Sequence, residues 1–183
     1  PARLDVSSLI LPVDSAAAAR RFASEYPDLV QHITPQMELS LAGKGYLDIG
    51  NLTIFDLLEG NKWERPIYWA VTSPRNAFAG MDQHMVQTGL TYQLLPLRAA
   101  ADSMGRALSY GIGNLDRMYE TVMTKFRWCG ADRPGTYFDE NARGIVSTLR
   151  NQIFSPLADG FIARGDKAKA QEVLRKCLSV IRE

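Results

Sequence analysis

Few residues of this chain are of a type that does chemistry, and their spacing keeps them apart. The histidines are His32 and His84, and neither stands at a metal-ligand or base–nucleophile spacing from a partner. The cysteines, Cys129 and Cys177, fall in no CxxC or Cys/His pattern, so they predict neither a disulfide framework nor a zinc site. No GxSxG, HExxH or phosphate-loop motif occurs. The stretch SYGIGN, Ser109 to Asn114, has two close glycines ahead of a helix but no preceding strand, and reads as a hinge. Asp139-Glu140-Asn141 is the one acidic cluster. Paired carboxylates do acid–base work, but adjacent positions at a helix start point in different directions, and Asp there is the expected N-cap. A stand-alone hydrolase or transferase with a site around Tyr137, Asp139 and Glu140 is the second reading. The first assigns no catalytic residue, metal ligand or cofactor. It takes Trp63, Arg65, Tyr137, Asp139 and Arg150 as binding residues, able to offer stacking and charge to a polypeptide or glycan.

The elements that must position them follow from periodicity and punctuation. LDVSSLILPV (4–13) reads as a strand, and Asp14 to Tyr26 as a helix capped by Asp14 or Ser15 and stopped by Pro27. QMELSLAG alternates, with Met37, Leu39 and Leu41 on one face, and YLDIG continues extended beyond a turn at Gly43 and Gly45. NLTIFDLLEGNK is a helix capped by Asn51 or Thr53 and ended by Gly60; this reading is preferred over a glycan sequon at Asn51-Leu52-Thr53. In RPIYWAVTS, Ile67, Trp69 and Val71 share one strand face and Tyr68 and Ala70 the other. Its near-continuous apolar run predicts cover on both faces. Pro66 confines it to a strand start or an edge. LTYQLLPL is a further strand after a Gly80 turn and the short MDQHMVQ segment.

The chain then turns helical. Asn114 caps a helix carrying Leu115, Met118, Val122 and Phe126 on one stripe. After an irregular aromatic loop, Asp139 opens a long helix, which Pro156 should kink or split with Ser155 as a new cap. LADGFIARGDKAKAQEVLRKCL resembles one tetratricopeptide repeat in its order of small and large residues. Ala158, Ala170 and Cys177 allow close helix approach, and Gly165 takes the positive φ of the turn. The expected organisation is α+β: residues 1–98 a small mixed sheet with helices, 99–113 a connector, and 114–183 a helical unit with the hairpin at 154–181.

With 183 residues, 46% of them apolar, the chain can bury a sizeable core. Its formal charge of +1 argues against a nucleic-acid partner, which calls for a concentrated basic stripe. The mildly basic C-terminal helix is interrupted by Asp166 and Glu172 and reads as a solvated face. No apolar run is long enough to span a bilayer. The chain opens on Pro1-Ala2 without an initiator Met, which predicts a mature or trimmed fragment.

NLTIFDLLEGNKWERPIYWAVT, GLTYQLLPL, MYETVMTKFRWCG and YFDENARG followed by LRNQIFSPLADGFIARGDKAKAQEVL occur in this order. Together they resemble the soluble C-terminal region of a bacterial family of large polytopic membrane proteins of unknown function, related to the eukaryotic transmembrane protein O-mannosyltransferases. The most specific pieces are the W-x-RPIYWA strand entry and the MY...KFRW helix end. The resemblance implies a periplasmic, non-catalytic accessory domain of a membrane glycosyltransferase-like protein. Its partners would be the parent membrane domain and a polypeptide or glycan acceptor. The family's transferase machinery belongs to its membrane half, so no catalytic residue carries over. Pro156 departs from the family pattern, which has a small helix former at that position.

Overall fold

The computed structural model describes residues 7–27, 29–41, 47–97 and 112–181. The fold is α+β, and the chain divides into two compact units: Pro1–Val86 with Tyr92–Ala100, and Gln87–Thr91 with Ala101–Glu183.

In the first unit, β1 (Ser8–Pro12) pairs antiparallel with β2 (Gln36–Ser40), Ile10 opposite Glu38. Alternation along β2 buries Met37 and Leu39, as read from the sequence, and Leu41 just beyond the strand is buried as well. Between them lies α1 (Ser15–Phe22), whose cap is the Asp14 carboxylate, accepting from Ala17 N at 2.9 Å. It ends at Phe22 rather than Tyr26, and the Tyr26 hydroxyl instead reaches the buried Gln93 Oε1 at 2.5 Å.

Three sequence expectations change in the next stretch. The helix α2 (Ile49–Asn61) begins two residues early, capped by Asp48, which accepts from Asn51 N at 2.8 Å. Ile49 and Gly50 are therefore helical, not extended, and residues 42–46, where the glycine turn was placed, lie outside the described residues. Asn51 is no cap: it is 4% exposed and its amide donates to Asn76 O, which also closes it to a glycan. Gly60 does not end the helix. The left-handed positions fall on Lys62 (φ 47°) and Trp63 (φ 65°), a conformation costing non-glycine residues roughly 1–2 kcal/mol each. Burial of Trp63 and a bracket from Asn61 offset this, its Nδ2 donating to Arg65 O at 2.7 Å and its Oδ1 accepting from Arg65 N at 3.1 Å.

The strand β3 is short (Tyr68–Ala70) and lies at a sheet edge beside β5 (Thr91–Leu94), consistent with Pro66 at its entry. It is covered on one face only. Trp69 is buried and donates from Nε1 to Ala77 O, whereas Tyr68 and Ala70 are exposed. The segment MDQHMVQ supplies a strand not expected from the sequence, β4 (Met85–Gln87), which forms a hairpin with β5. Gly89 (φ 96°) takes the first central position of that two-residue turn, the place where a type II′ hairpin requires a glycine. Gly80 (φ 86°) is equally constrained, because a Cβ there would lie 2.4 Å from Ser40 O.

Most of the expected connector, residues 98–111, lies outside the described residues; Ile112–Gly113 is a short strand, β6. In the second unit, Asn114 caps α3 (Leu115–Glu120), which runs on into a π-helical turn over Thr121–Lys125. α4 (Glu140–Leu149), a π-turn over Arg150–Phe154, and α5 (Ser155–Ala163) are all αR at their junctions, so they form one continuous helix. Pro156 does not split it at a new cap. Proline removes the N–H that would meet the carbonyl four residues back, and the π-turn, with Ser155 N donating to Arg150 O, takes up the misfit. The Gln152 carbonyl, whose α-helical donor Pro156 lacks, accepts from Gln87 Nε2 at 2.7 Å. A Schellman turn closes α5, with Asp166 N on Phe161 O and Gly165 N on Ile162 O, Gly165 at φ 82°. Asp166 then caps α6 (Lys167–Val180). Leu157, Ala158, Phe161, Ala170, Val173 and Cys177 share the core of this hairpin with Leu115, Met118 and Val122.

Candidate functional site

The first unit closes its polar chemistry inward. His84 is 5% exposed, with Nδ1 2.7 Å from Leu97 O and Nε2 3.2 Å from Glu38 O, so both ring nitrogens face backbone carbonyls of packed elements. His32 is exposed on the Val30–His32 turn. Trp63 is 8% exposed, its ring turned into the core, and the exposed Arg65 is fixed at its main chain by Asn61. These residues hold the turn that feeds β3.

The second unit leaves a surface open. The left-handed pair Cys129 (φ 52°) and Gly130 (φ 93°) reverses the chain after Trp128. Thr136 Oγ1 on Gly130 O at 2.7 Å and Arg133 N on the same carbonyl at 3.0 Å hold the loop that follows. Asp139 ends it by capping α4, accepting from Ala142 N at 2.7 Å. The apolar stripe of α4 (Ala142, Ile145, Val146, Leu149) follows helical spacing, yet none of its residues is fully buried, and Ile145 is 63% exposed. Loop and helix bound a groove of about 450 Å³, walled by Phe126, Trp128 and Phe138 on one side and Ile145, Val146 and Leu149 on the other. A second hollow of about 570 Å³ adjoins it, sharing Ala131, Phe138 and Val146 and adding Arg133, Tyr137 and Arg143.

Trp128 anchors the wall. It stacks on Phe154 at 5.8 Å, meets Phe126 edge to face, and carries the Lys176 ammonium 5.6 Å over its ring. Tyr137 is 84% exposed on the rim. Arg150 and Glu140 are exposed, and the Asp139 carboxylate is turned onto its own helix. Burial pushes the Cys177 thiol up, with the Arg150 charge opposing the shift, so this sulfur behaves as core packing. Of the sequence candidates, Tyr137 lies on the groove and Asp139 at its helix start. Phe126, Ile145, Arg133 and Arg143 were not singled out. Their stripe is indistinguishable from a core stripe in sequence; the only hint was the aromatic, glycine-rich loop ahead of it.

Among the described residues, no cluster of three His, Cys, Asp or Glu side chains is placed to hold a metal ion, and no helix is long and apolar enough to cross a membrane. A family model described as TMEM260-associated domain 2 matches residues 2–111, more than half of the chain; apart from Leu90, the residues lining the groove lie beyond the matched ones. No curated protein matches the chain, and no solved structure does.

Proposed function

Because this chain belongs to the TMEM260-associated domain 2 family, we propose that it is a non-catalytic accessory domain on the periplasmic side of a membrane glycosyltransferase-like protein, holding a polypeptide or glycan acceptor or partner. TMEM260 is a protein O-mannosyltransferase-like membrane protein, which supports the link to a membrane parent. The observation that carries the binding role is the open groove between the 127–138 loop and α4, where aromatic and aliphatic side chains stay uncovered beside cations. A well-formed apolar hollow with a few convergent polar groups is the default place for a ligand. The chemistry within reach of it is thin. Neither histidine lines the groove, Asp139 is engaged as a cap, and acyl or glycosyl transfer needs a placed base or nucleophile.

Titrating the isotope-labelled chain with acceptor-like peptides and with oligosaccharides tests this reading. Chemical-shift changes centred on Trp128, Tyr137 and Ile145 are expected, without turnover. Sugar transfer or hydrolysis by the chain alone, abolished in Asp139→Asn, would instead establish the hydrolase or transferase reading around Tyr137, Asp139 and Glu140. Absence of shifts with every ligand would remove the binding role.

A further inference from the structure

We propose that the groove takes an extended polypeptide segment that places a bulky apolar side chain next to acidic residues; this rests on the accessory-domain reading and narrows it to one class of ligand. Three observations converge. The first hollow is walled almost wholly by aromatic and aliphatic side chains, with Ile145 left 63% exposed, which suits an inserted apolar side chain rather than a polar one. The charged residues lining the two hollows are Lys125, Arg127, Arg133 and Arg143, with no carboxylate among the lining residues. Lys125 is paired with Glu120 at 2.9 Å, but Arg127, Arg133 and Arg143 have no ion pair with a described residue. The nearest acids in sequence do not cancel them: Asp139 caps α4, and Asp132 and Glu140 lie outside both linings. An apolar trough edged by uncompensated guanidinium groups is complementary to an apolar segment carrying carboxylates, and guanidinium forks favour that partner.

The third observation separates polypeptide from sugar. A glycan would be held by stacking on an aromatic face, but Trp128 already has Phe154 stacked on it and Lys176 over its ring. Phe126 presents itself to Trp128 at 66°, so these rings form a wall and not a platform. The two hollows also share three lining residues, which makes one continuous trough, its first part mainly aromatic and aliphatic and each part lined by two cations. Successive side chains of an extended chain would enter them in turn.

The experiment uses the full 183-residue chain and a short synthetic peptide alternating Asp and Glu with Phe and Leu, followed by calorimetry and by shifts at Ile145. Three controls accompany it: the same peptide with Lys for its acids, the same with Ser for its apolar residues, and decanoate as an apolar anion without peptide groups. Expected are binding of the first peptide alone, weakening as salt is raised, and a loss of about tenfold or more in both Ile145→Glu and the Arg133→Glu/Arg143→Glu double variant. Both variants change exposed positions, and an unchanged thermal midpoint shows that they fold. Equal binding of the Lys peptide would overturn the charge argument. Decanoate binding as tightly as the peptide would make the trough a site for small apolar anions. Oligosaccharide binding at Ile145, or peptide binding that survives both variants, would sink this inference while leaving an accessory binding domain in place.

Discussion

α4 and α5 are two lengths of one continuous helix, and they meet opposite fates. α5 buries Leu157, Ala158 and Phe161 under α6 and against Leu115, where Gly160 permits an approach so close that a Cβ would lie 2.4 Å from Leu115 Cδ2. α4 carries an apolar stripe of similar spacing but buries no residue completely, because its neighbour is an irregular loop and not a helix. The difference teaches that periodicity marks which face is apolar and says nothing of what covers it. Coverage is settled by the chain that returns: after α5 it comes back as the antiparallel α6, and for α4 nothing among the described residues closes over Ile145.

The largest expected effect breaks or confirms that contrast directly. Ala170 is 3% exposed in the α5–α6 core, so Ala170→Arg combines overpacking with a buried, unpaired charge and should cost about 3–5 kcal/mol. Ile145→Arg introduces the same side chain on α4 and should change stability by no more than about 0.5 kcal/mol, as at an ordinary surface position. Denaturant titration of the two variants measures both. Comparable losses would mean that α4 is as closed as α5.

The junction between the two lengths is the next point of attack. Pro156 deprives the Gln152 carbonyl of its helical donor, and Gln87 Nε2 supplies one, sharing its amide with Gly89 O at 3.1 Å. Gln87 is fully buried and its Oε1 finds no donor among the described residues, so removing the side chain also removes an existing penalty. Gln87→Leu should therefore cost about 1–2 kcal/mol, toward the lower part of the range for taking a hydrogen-bond partner from a partly buried backbone carbonyl. Hydrogen exchange should show the amides of 150–155 opening more readily than those of α6. An unchanged denaturation midpoint would show that Gln152 O does not depend on Gln87.

What the sequence disclosed follows from the range over which each signal acts. The Asp14, Asn114, Asp139 and Asp166 caps, the alternation of Met37 and Leu39, and the Gly165 turn depend on a few adjacent residues; all except the Asp166 cap are legible in sequence, Asp14 as one of two candidates with Ser15. The helix start at Asp48 was missed because Asn51 and Thr53 offer equally good local caps, and only the burial of Asn51 against Asn76 O decides between them. Pro156 misled for a related reason: the device that accommodates it includes a glutamine 69 residues earlier in the sequence. Of the candidate site, Tyr137 and Asp139 were legible as loop and cap residues. The groove was not, because Ile145 and Leu149 look like core until the neighbouring chain is known.

The smallest expected effect concerns the polar fastening on the closed side, for which α4 has no counterpart among the ion pairs of the described residues. Asp116 on α3 receives both Arg164 nitrogens at 2.6 and 2.7 Å and Lys169 Nζ at 3.4 Å. The Arg164 hydrogen bonds outweigh partial desolvation and hold the Asp116 carboxyl down at about 2, below its ordinary 3.8. A depressed carboxyl contributes stability while it is ionised in both states, and that contribution is lost as pH falls from about 4 through about 2. The Asp116 side chain is 60% exposed, so solvent screening limits the contribution to less than about 1 kcal/mol. Thermal midpoints of the parent chain and Asp116→Asn should differ slightly at pH 6 and converge near pH 2, with the pH 6 gap narrowing in high salt. A gap that persists at pH 2 would mean that Asp116 acts through packing rather than charge, and the closed side would then owe its stability to the apolar core alone.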